Sequence, residues 1–446
     1  MGKYQGYQKY KDSGVEWLGE IPDHWEILTV KRITKSHKQG FYTNQSYVDD
    51  GVKLARITDI DDFANVSFEK MPYVEVDLKD EKAFEIKHGD FLFARSGTIG
   101  RFGLVRNPEK SIFASYLICF RFTNINPEYL RFYFSSLFFQ ECLLSTLHGG
   151  ANQNVHAENI KEQFISIPPL EEQEKIARFL DYKTKQIDDL IAKKETLIQK
   201  LDEKRTSLIS YAVTKGLDVN VPMKDSGIEW LGEIPKHWEV KRLKFLVTKI
   251  GSGKTPKGGS EVYIDSGIML IRSQNVYDDG LRLDDVVYID DDIDNIQANS
   301  RVFPNDILLN ITGASIGRTS LIPPNFGKAN VNQHVCIFRP KLKEIFPQYL
   351  HLLFCSQQGK EQIFSCENGI SREGLNFQEA GNLTFGIPPL QEQQKIAEYL
   401  DQKTAQIEEQ KTKIQQAIEL LKEYRTALIT NAVTGKIDVR TIPIPN

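Results

Sequence analysis

No run of apolar residues in this 446-residue chain approaches the roughly 20 needed to cross a bilayer. The opening residues, MGKYQGYQKYKDSG, hold neither an apolar core nor a small-residue cleavage site, so a cytoplasmic protein without membrane contact is the expectation. Cysteine is scarce. Cys119, Cys142, Cys336, Cys355 and Cys366 are odd in number and never fall at CxxC spacing, which argues against a disulfide framework and against a zinc site. Catalytic signatures are missing as well. The stretch IGSGKT at Ile250 to Thr255 looks like the end of a phosphate-binding loop, but its leading glycine would be Thr248, and Pro256 stands where a helix should open. A DNA amino-methylase needs an Asn/Asp-Pro-Pro-aromatic run. The nearest matches are IPPL, twice, and Ile322-Pro323-Pro324-Asn325-Phe326, whose order is wrong. Acidic and lysine clusters such as Asp202-Glu203-Lys204 lie in a helical stretch and read as solvated charge. No catalytic residue and no metal site is therefore expected.

Positive charge is also not in excess, since the formal net charge is -4. Its distribution is more informative than its sum. Ile27 to Gln45 contains Lys31, Arg32, Lys35 and Lys38 without an acid, and Val240 to Ser260 contains Lys241, Arg242, Lys244, Lys249, Lys254 and Lys257 with none before Glu261. Acidic stretches follow each, around Asp59, Asp61 and Asp62 and around Asp284 to Asp294. Two readings stay open for the basic stretches: contact with an anionic partner, or charged strand edges that deter aggregation.

What the chain does have is a duplication. Lys11 to Glu26, KDSGVEWLGEIPDHWE, returns at Lys224 to Glu239 as KDSGIEWLGEIPKHWE. IPPLEEQEKIARFLDYKTKQID from Ile167 returns as IPPLQEQQKIAEYLDQKTAQIE from Ile387, and RTSLISYAVT from Arg205 returns as RTALITNAVT from Arg425. Near-identical frames thus enclose two interiors of unlike sequence. At 446 residues two or more domains are in any case required.

The second repeated block reads as a long helix. Pro168 and Pro169 precede it, Glu171, Glu172 and Glu174 suit the positive end of its dipole, and Gly216 suits its C-terminal cap. Ile176, Leu180, Lys183, Ile187, Leu190, Lys194, Leu197, Leu201, Arg205, Leu208 and Ala212 alternate steps of four and three, a heptad seam. Its copy runs Ile396, Leu400, Lys403, Ile407, Gln410, Ile414, Ala417, Leu421, Arg425, Leu428 and Ala432. Two such stripes predict an antiparallel pair, with Lys183 and Lys403 setting register. The interiors read as β: short runs such as DFLFARSGTIGRFGLV at Asp90 and DILLNITGASIGRTSLI at Asp306, broken by turn residues. Their paired glycines, in Ser96-Gly97-Thr98-Ile99-Gly100-Arg101 and Thr312-Gly313-Ala314-Ser315-Ile316-Gly317-Arg318, permit a tight turn. Backbone could approach a phosphate there, or the turn could be a plain hairpin with an exposed Arg. His24-Trp25 and His237-Trp238 in the first repeated block are expected to pack against a partner rather than bind metal.

Two β-rich inserts, each preceded by SGxEWLGEIPxHWE and closed by a PPLxEQxxIAxxLD helix, resemble the specificity subunits of type I restriction-modification systems, over nearly the whole chain. The fold expected is α+β: two β-rich target-recognition domains separated by a pair of long antiparallel coiled-coil helices, in a pseudo-two-fold duplication. The expected divisions are 1–166, the first spacer helix at 167–216, a second domain at 217–386, the second helix at 387–436 and a tail at 437–446. The resemblance implies that each domain reads one part of a bipartite double-stranded DNA site and that the helices set the gap. It implies further that two modification subunits dock on the repeated regions, and that S-adenosylmethionine, ATP and Mg belong to partner modification and restriction/translocase subunits. Other readings are a coiled-coil protein adaptor, a self-sufficient nuclease-methylase lacking all its motifs, and an orphan or decoy subunit.

For DNA contact the candidates are Lys35, Lys38, Tyr42, Asn44, Arg56, Arg95, Arg101, Asn152 and Gln153 in the first domain. In the second they are Lys254, Thr255, Lys257, Arg272, Gln274, Asn275, Arg318, Asn332 and Arg372. Arg, Asn and Gln make bidentate base contacts, whereas Lys mainly fixes register on phosphates. Trp17, Trp25, Trp230 and Trp238 are the candidate partner-binding residues. Adding four residues near Glu171 lengthens the first helix by about one turn, roughly 6 Å. Sequencing the methylated motif of that mutant is expected to show about one extra base pair between half-sites whose bases are unchanged; altered bases with an unchanged gap would contradict the helical spacer.

Overall fold

The computed structural model describes residues 4–147, 154–367 and 374–444. Spatially the chain forms two compact units, residues 1–194 with 416–446 and residues 195–415. The divisions fall inside the two long helices, Leu170–Lys215 and Leu390–Val433, rather than at their ends, so each helix contributes one part to each unit.

In the first unit, Glu26–Thr29 pairs antiparallel with Phe164–Ile167, bringing the end of the first repeated block beside the start of the second. Between them lies a four-stranded antiparallel sheet in the order Thr34–Gln39, Leu117–Phe122, Phe91–Ala94, Phe102–Leu104. A smaller sheet orders Tyr73–Val74, Val52–Ala55 and Ser111–Phe113, the last two parallel. Alternation places Phe91 and Phe93 against Phe134 of the helix Pro127–Ser135, whereas Leu92 joins Ala55, Ile60 and Leu117 in a second cluster. Both faces of the strand are covered, which is why DFLFA reads as a continuous apolar run.

The second unit repeats this plan on a different sequence. Glu239–Arg242 pairs with Thr384–Ile387, and the four-stranded sheet runs Val247–Ser252, Val335–Pro340, Ile307–Asn310, Thr319–Leu321. Ile307 and Leu309 face one core, Leu308 and Ile337 the other. An ion pair on a buried aspartate recurs too: Arg121 on Asp90 at 2.8 Å in the first unit, Arg339 on Asp306 at 2.8 Å in the second.

The long helices begin where their prolines and glutamates place them. Gln173 Nε2 donates to the Pro168 carbonyl at 2.8 Å and Gln393 Nε2 to that of Pro388 at 2.9 Å. Gly216 ends the first helix at a φ of +78°, a conformation that other residues adopt at a cost. Within each unit the helix segments run antiparallel: Arg425 meets Asp188 at 2.9 Å in the first, and Lys411 meets Asp202 at 2.7 Å in the second, where Arg205 faces Glu408.

The seam itself differs from the expected one. Leu190 and Leu197 are exposed, at 42% and 46%, and Ile191 and Ile198 take their places with Thr184 and Ile187 before and Leu201 after them. In the second helix Thr404 and Lys411 replace Lys403 and Gln410. Adjacent positions here are both apolar or both polar, so a step of three and a step of four fit the pattern equally. Packing selects the row that holds Thr184, Ile191 and Ile198 in the first helix and Thr404 and Lys411 in the second. Register is accordingly held by the ion pairs above and not by Lys183 and Lys403.

One contact explains why the two repeated blocks recur together. The Glu172 carboxylate, 6% exposed, accepts from the Trp25 indole at 3.0 Å and the Tyr7 hydroxyl at 2.5 Å, and lies 2.8 Å from His24 Nε2. In the second unit Trp238 and His237 meet Glu392 at 3.2 and 2.7 Å. Burial, with Glu172 beside it, pushes the Tyr7 hydroxyl far above its ordinary range, so it remains a donor. Trp25 and Trp238 are wholly buried, which corrects their assignment as partner-binding residues: they join the first repeated block to the second within each unit. Glu172→Ala leaves these donors buried and unpaired, and is expected to cost on the order of 3 kcal/mol in urea unfolding. Glu171→Ala, one position along on the exposed side, is expected to cost less than about 0.5 kcal/mol; equal losses would contradict the lock.

Candidate DNA-recognition surfaces

In both units the loop after the basic edge strand is drawn against the small sheet at a glycine. A Cβ on Gly40 would lie 2.1 Å from the Ala114 carbonyl oxygen, and one on Gly253 would lie 1.6 Å from that of Val331. Only glycine permits that approach, and the chain beyond it is displayed as an exposed loop.

In the first unit this loop carries Tyr42, 69% exposed, and exposed Asn44. Asn44 lines one concave face with Tyr47, Thr58, Tyr116 and Arg56, and Tyr42 stands outside it. A second cleft alongside is lined by His37, Lys38, Gln39, Arg95 and His156. The first face carries aromatic and amide groups and the second cationic and polar ones, the pairing suited to base edges and to phosphates respectively.

Several candidates also have internal partners that brace this surface. Arg56 grips Asp59 through Nε and Nη2 at 3.1 and 3.0 Å and donates to the Lys70 carbonyl, and that carboxylate strengthens its positive charge. Lys38 donates to the Ala83 carbonyl at 2.9 Å above the Phe84 ring. Arg101 donates to the Ile60 carbonyl at 2.6 Å and to Asp62. Lys35 and Arg95 have no ion pair among the described residues, and Tyr42 and Asn44 are exposed.

The second unit makes the same division. Lys254 and Lys257 are exposed on the loop, and Arg318 lies 4.6 Å from the Tyr277 ring. Thr255 donates to Gln333, which bonds His334, which in turn bonds Thr312 of the glycine turn, so a polar chain ties the loop to that turn. Arg272 donates to the Asp285 carbonyl at 2.7 Å, and Gln274 bonds the Asp285 side chain. Asn275 is fully buried, bonding the Arg272 amide, the Arg282 carbonyl and Asp285, and Asn332 is 8% exposed with its oxygen on the His334 amide. These two are corrected from readers to braces, because both are buried and the Asn275 amide is fully engaged inside the unit. Asn152, Gln153 and Arg372 lie outside the described residues.

The glycine turns form as expected, with Gly97 and Gly100 at φ of +82° and +79° and Gly313 and Gly317 at +74° and +83°. What approaches them is the protein itself: Gln140 Nε2 donates to the Gly100 carbonyl at 3.1 Å and Lys360 Nζ to that of Gly317 at 2.5 Å. Tyr47, Tyr116, His37, His156 and Gln333 join the surfaces without having been singled out in the sequence. The signal available was an aromatic or amide inside a polar loop, where no core could claim it. Trp17 and Trp230, at equivalent places in the repeated block, are 64% and 49% exposed and remain open to a partner.

The model of the type I restriction modification DNA specificity domain matches this chain twice, over residues 22–200 and 235–420. Among similar curated proteins is the type I restriction enzyme MjaVIII specificity subunit of Methanocaldococcus jannaschii, 24% identical, with 98% of each chain covered. A solved chain from a study of assembly in the type I R-M system superposes with a TM-score of 0.72 at 16% identity, covering 93% of this chain and 98% of that one. The HsdS subunit from Thermoanaerobacter tengcongensis gives 0.51 at 17% identity, covering 94% and 98%. These solved structures share the fold, and the two family matches, one on each repeat, place this chain among the type I restriction-modification specificity subunits.

Proposed function

We propose that each unit reads one half of a bipartite DNA site through the loop displayed beyond Gly40 or Gly253, and that the chain performs no chemistry of its own. The observation carrying this reading is the contrast inside the duplication: like frames, Trp25–Glu172 and Trp238–Glu392, support unlike polar surfaces. Like frames suit two copies of one partner, and unlike surfaces suit two different half-sites. Trp17 and Trp230 are the anchors for two modification subunits, which would carry S-adenosylmethionine. ATP and Mg would belong to restriction/translocase subunits, all within the cytoplasm. No helix among the described residues is long and apolar enough to cross a membrane.

The test is duplex binding by the complex assembled with its modification subunits, measured against salt. Lys254→Ala with Lys257→Ala should weaken binding to all sequences alike and reduce the salt slope by about 2, one per phosphate contact. Tyr42→Ala with Asn44→Ala should instead relax base preference in one half-site, at about 1–3 kcal/mol of discrimination. Binding that ignores salt, or a protein-only partner for both surfaces, would contradict the proposal, as would methyl transfer by the purified chain alone.

A further inference from the structure

The duplication lets one unit serve as a control for the other. In the first unit the pocket between the helix Pro127–Ser135 and the long helices is lined by guanidinium groups of the chain itself. Arg131 reaches from that helix to Asp181, donates to Glu128 at 3.0 Å and bonds the Phe63 carbonyl. Arg425 shares the same pocket, paired with Asp188 at 2.9 Å and lying 5.4 Å from the Phe63 ring. Two guanidinium groups are thus accommodated together by facing carboxylates.

The repeat, offset by 220 residues over this segment, aligns PEYLRFYF with PQYLHLLF. Arg131 becomes His351, Glu128 becomes Gln348, Asp181 is kept as Asp401 and Arg425 as Arg205. The corresponding pocket, about 520 Å³ against about 320 Å³ in the first unit, is lined by Arg205, Ser320, Gln348, His351, Glu398 and Asp401. Asp401 has no ion pair among the described residues. Ser320, wholly buried and lining the pocket, has a hydroxyl without any hydrogen-bond partner. Desolvation lowers His351 to about 4, so at neutral pH the imidazole does not replace the missing positive charge.

We propose that the second unit carries a guanidinium site: the pocket of Ser320, His351 and Asp401 accepts an arginine side chain from outside, where the first unit supplies its own Arg131. A carboxylate and a hydroxyl acceptor suit the planar fork of a guanidinium, which bonds oxygen pairs in a way a lysine ammonium does not. The cation of Arg205 does not bar it, since Arg131 and Arg425 share the counterpart pocket.

Calorimetric titration of the full chain with N-acetyl-arginine methylamide tests this, with N-acetyl-lysine methylamide as the control. Saturable binding is expected, at least tenfold weaker for the lysine compound and for Asp401→Asn. His351→Arg, which restores the internal guanidinium, should abolish it. If His351→Arg does not fold, Asp401→Asn with an unchanged melting curve decides alone. Free arginine binding no better than the capped compound identifies a side chain presented by a protein as the natural source; tighter binding of free arginine identifies the amino acid. No saturable binding, equal binding of the lysine compound, or an unaffected Asp401→Asn overturns the proposal.

Discussion

A carboxylate at the head of each long helix, buried at Glu172 and half-buried at Glu392, is the contact on which the rest depends. Glu172 and Glu392 sit in the first turn, where the helix dipole favours negative charge, and each receives the indole N–H of a wholly buried tryptophan from the other repeated block. A charged acceptor in such a place is costly unless its donors are present, and the tryptophan is equally costly without its acceptor. Neither partner can be lost alone. That mutual requirement fixes the start and finish of each insert next to one another, through the strand pairs Glu26–Thr29 with Phe164–Ile167 and Glu239–Arg242 with Thr384–Ile387.

With its ends held, an insert is free to change its surface while keeping its sheet. The Arg121–Asp90 and Arg339–Asp306 pairs and the glycines that draw Gly40 and Gly253 to the small sheet belong to the shared plan. The braces differ in chemistry but not in place: Arg56 turns back on Asp59 where Arg272 turns back on Asn275. Much of the polarity in each insert is therefore spent on supporting the loop, and the groups left over, Tyr42 and Asn44 or Lys254 and Lys257, are few. A small number of uncommitted side chains on a rigid support keeps the ordering cost of any contact low.

The duplication, the long helices and the β character of the inserts were legible because each is written in a repeated pattern: identical blocks, a mixed step of three and four, short apolar runs between turn residues. The row of the helix that packs was not. Leu190 and Ile191 are adjacent and both apolar, as are Leu197 and Ile198, so spacing alone offers two seams and only the partner helix chooses. The burial of Trp25 and Trp238 was not legible for a related reason. Trp17 and Trp25 stand eight residues apart in one block, and nothing in the sequence says that one is exposed and the other enclosed. Among the site residues, composition could name Arg and Asn as capable of reading bases, but Asn275 and Arg56 had internal partners three residues away whose claim is visible only once the chain turns.

The account stands on two surfaces acting independently on one frame, and exchange of a single insert tests this most directly. Residues 30–163, which lie between the paired strands, would be replaced by the corresponding insert of a relative, and the methylated motif of the host would be sequenced. One half of a split motif should change while the other half and the gap stay as they were. A change in both halves, or methylation that no longer falls on a split site, would contradict it.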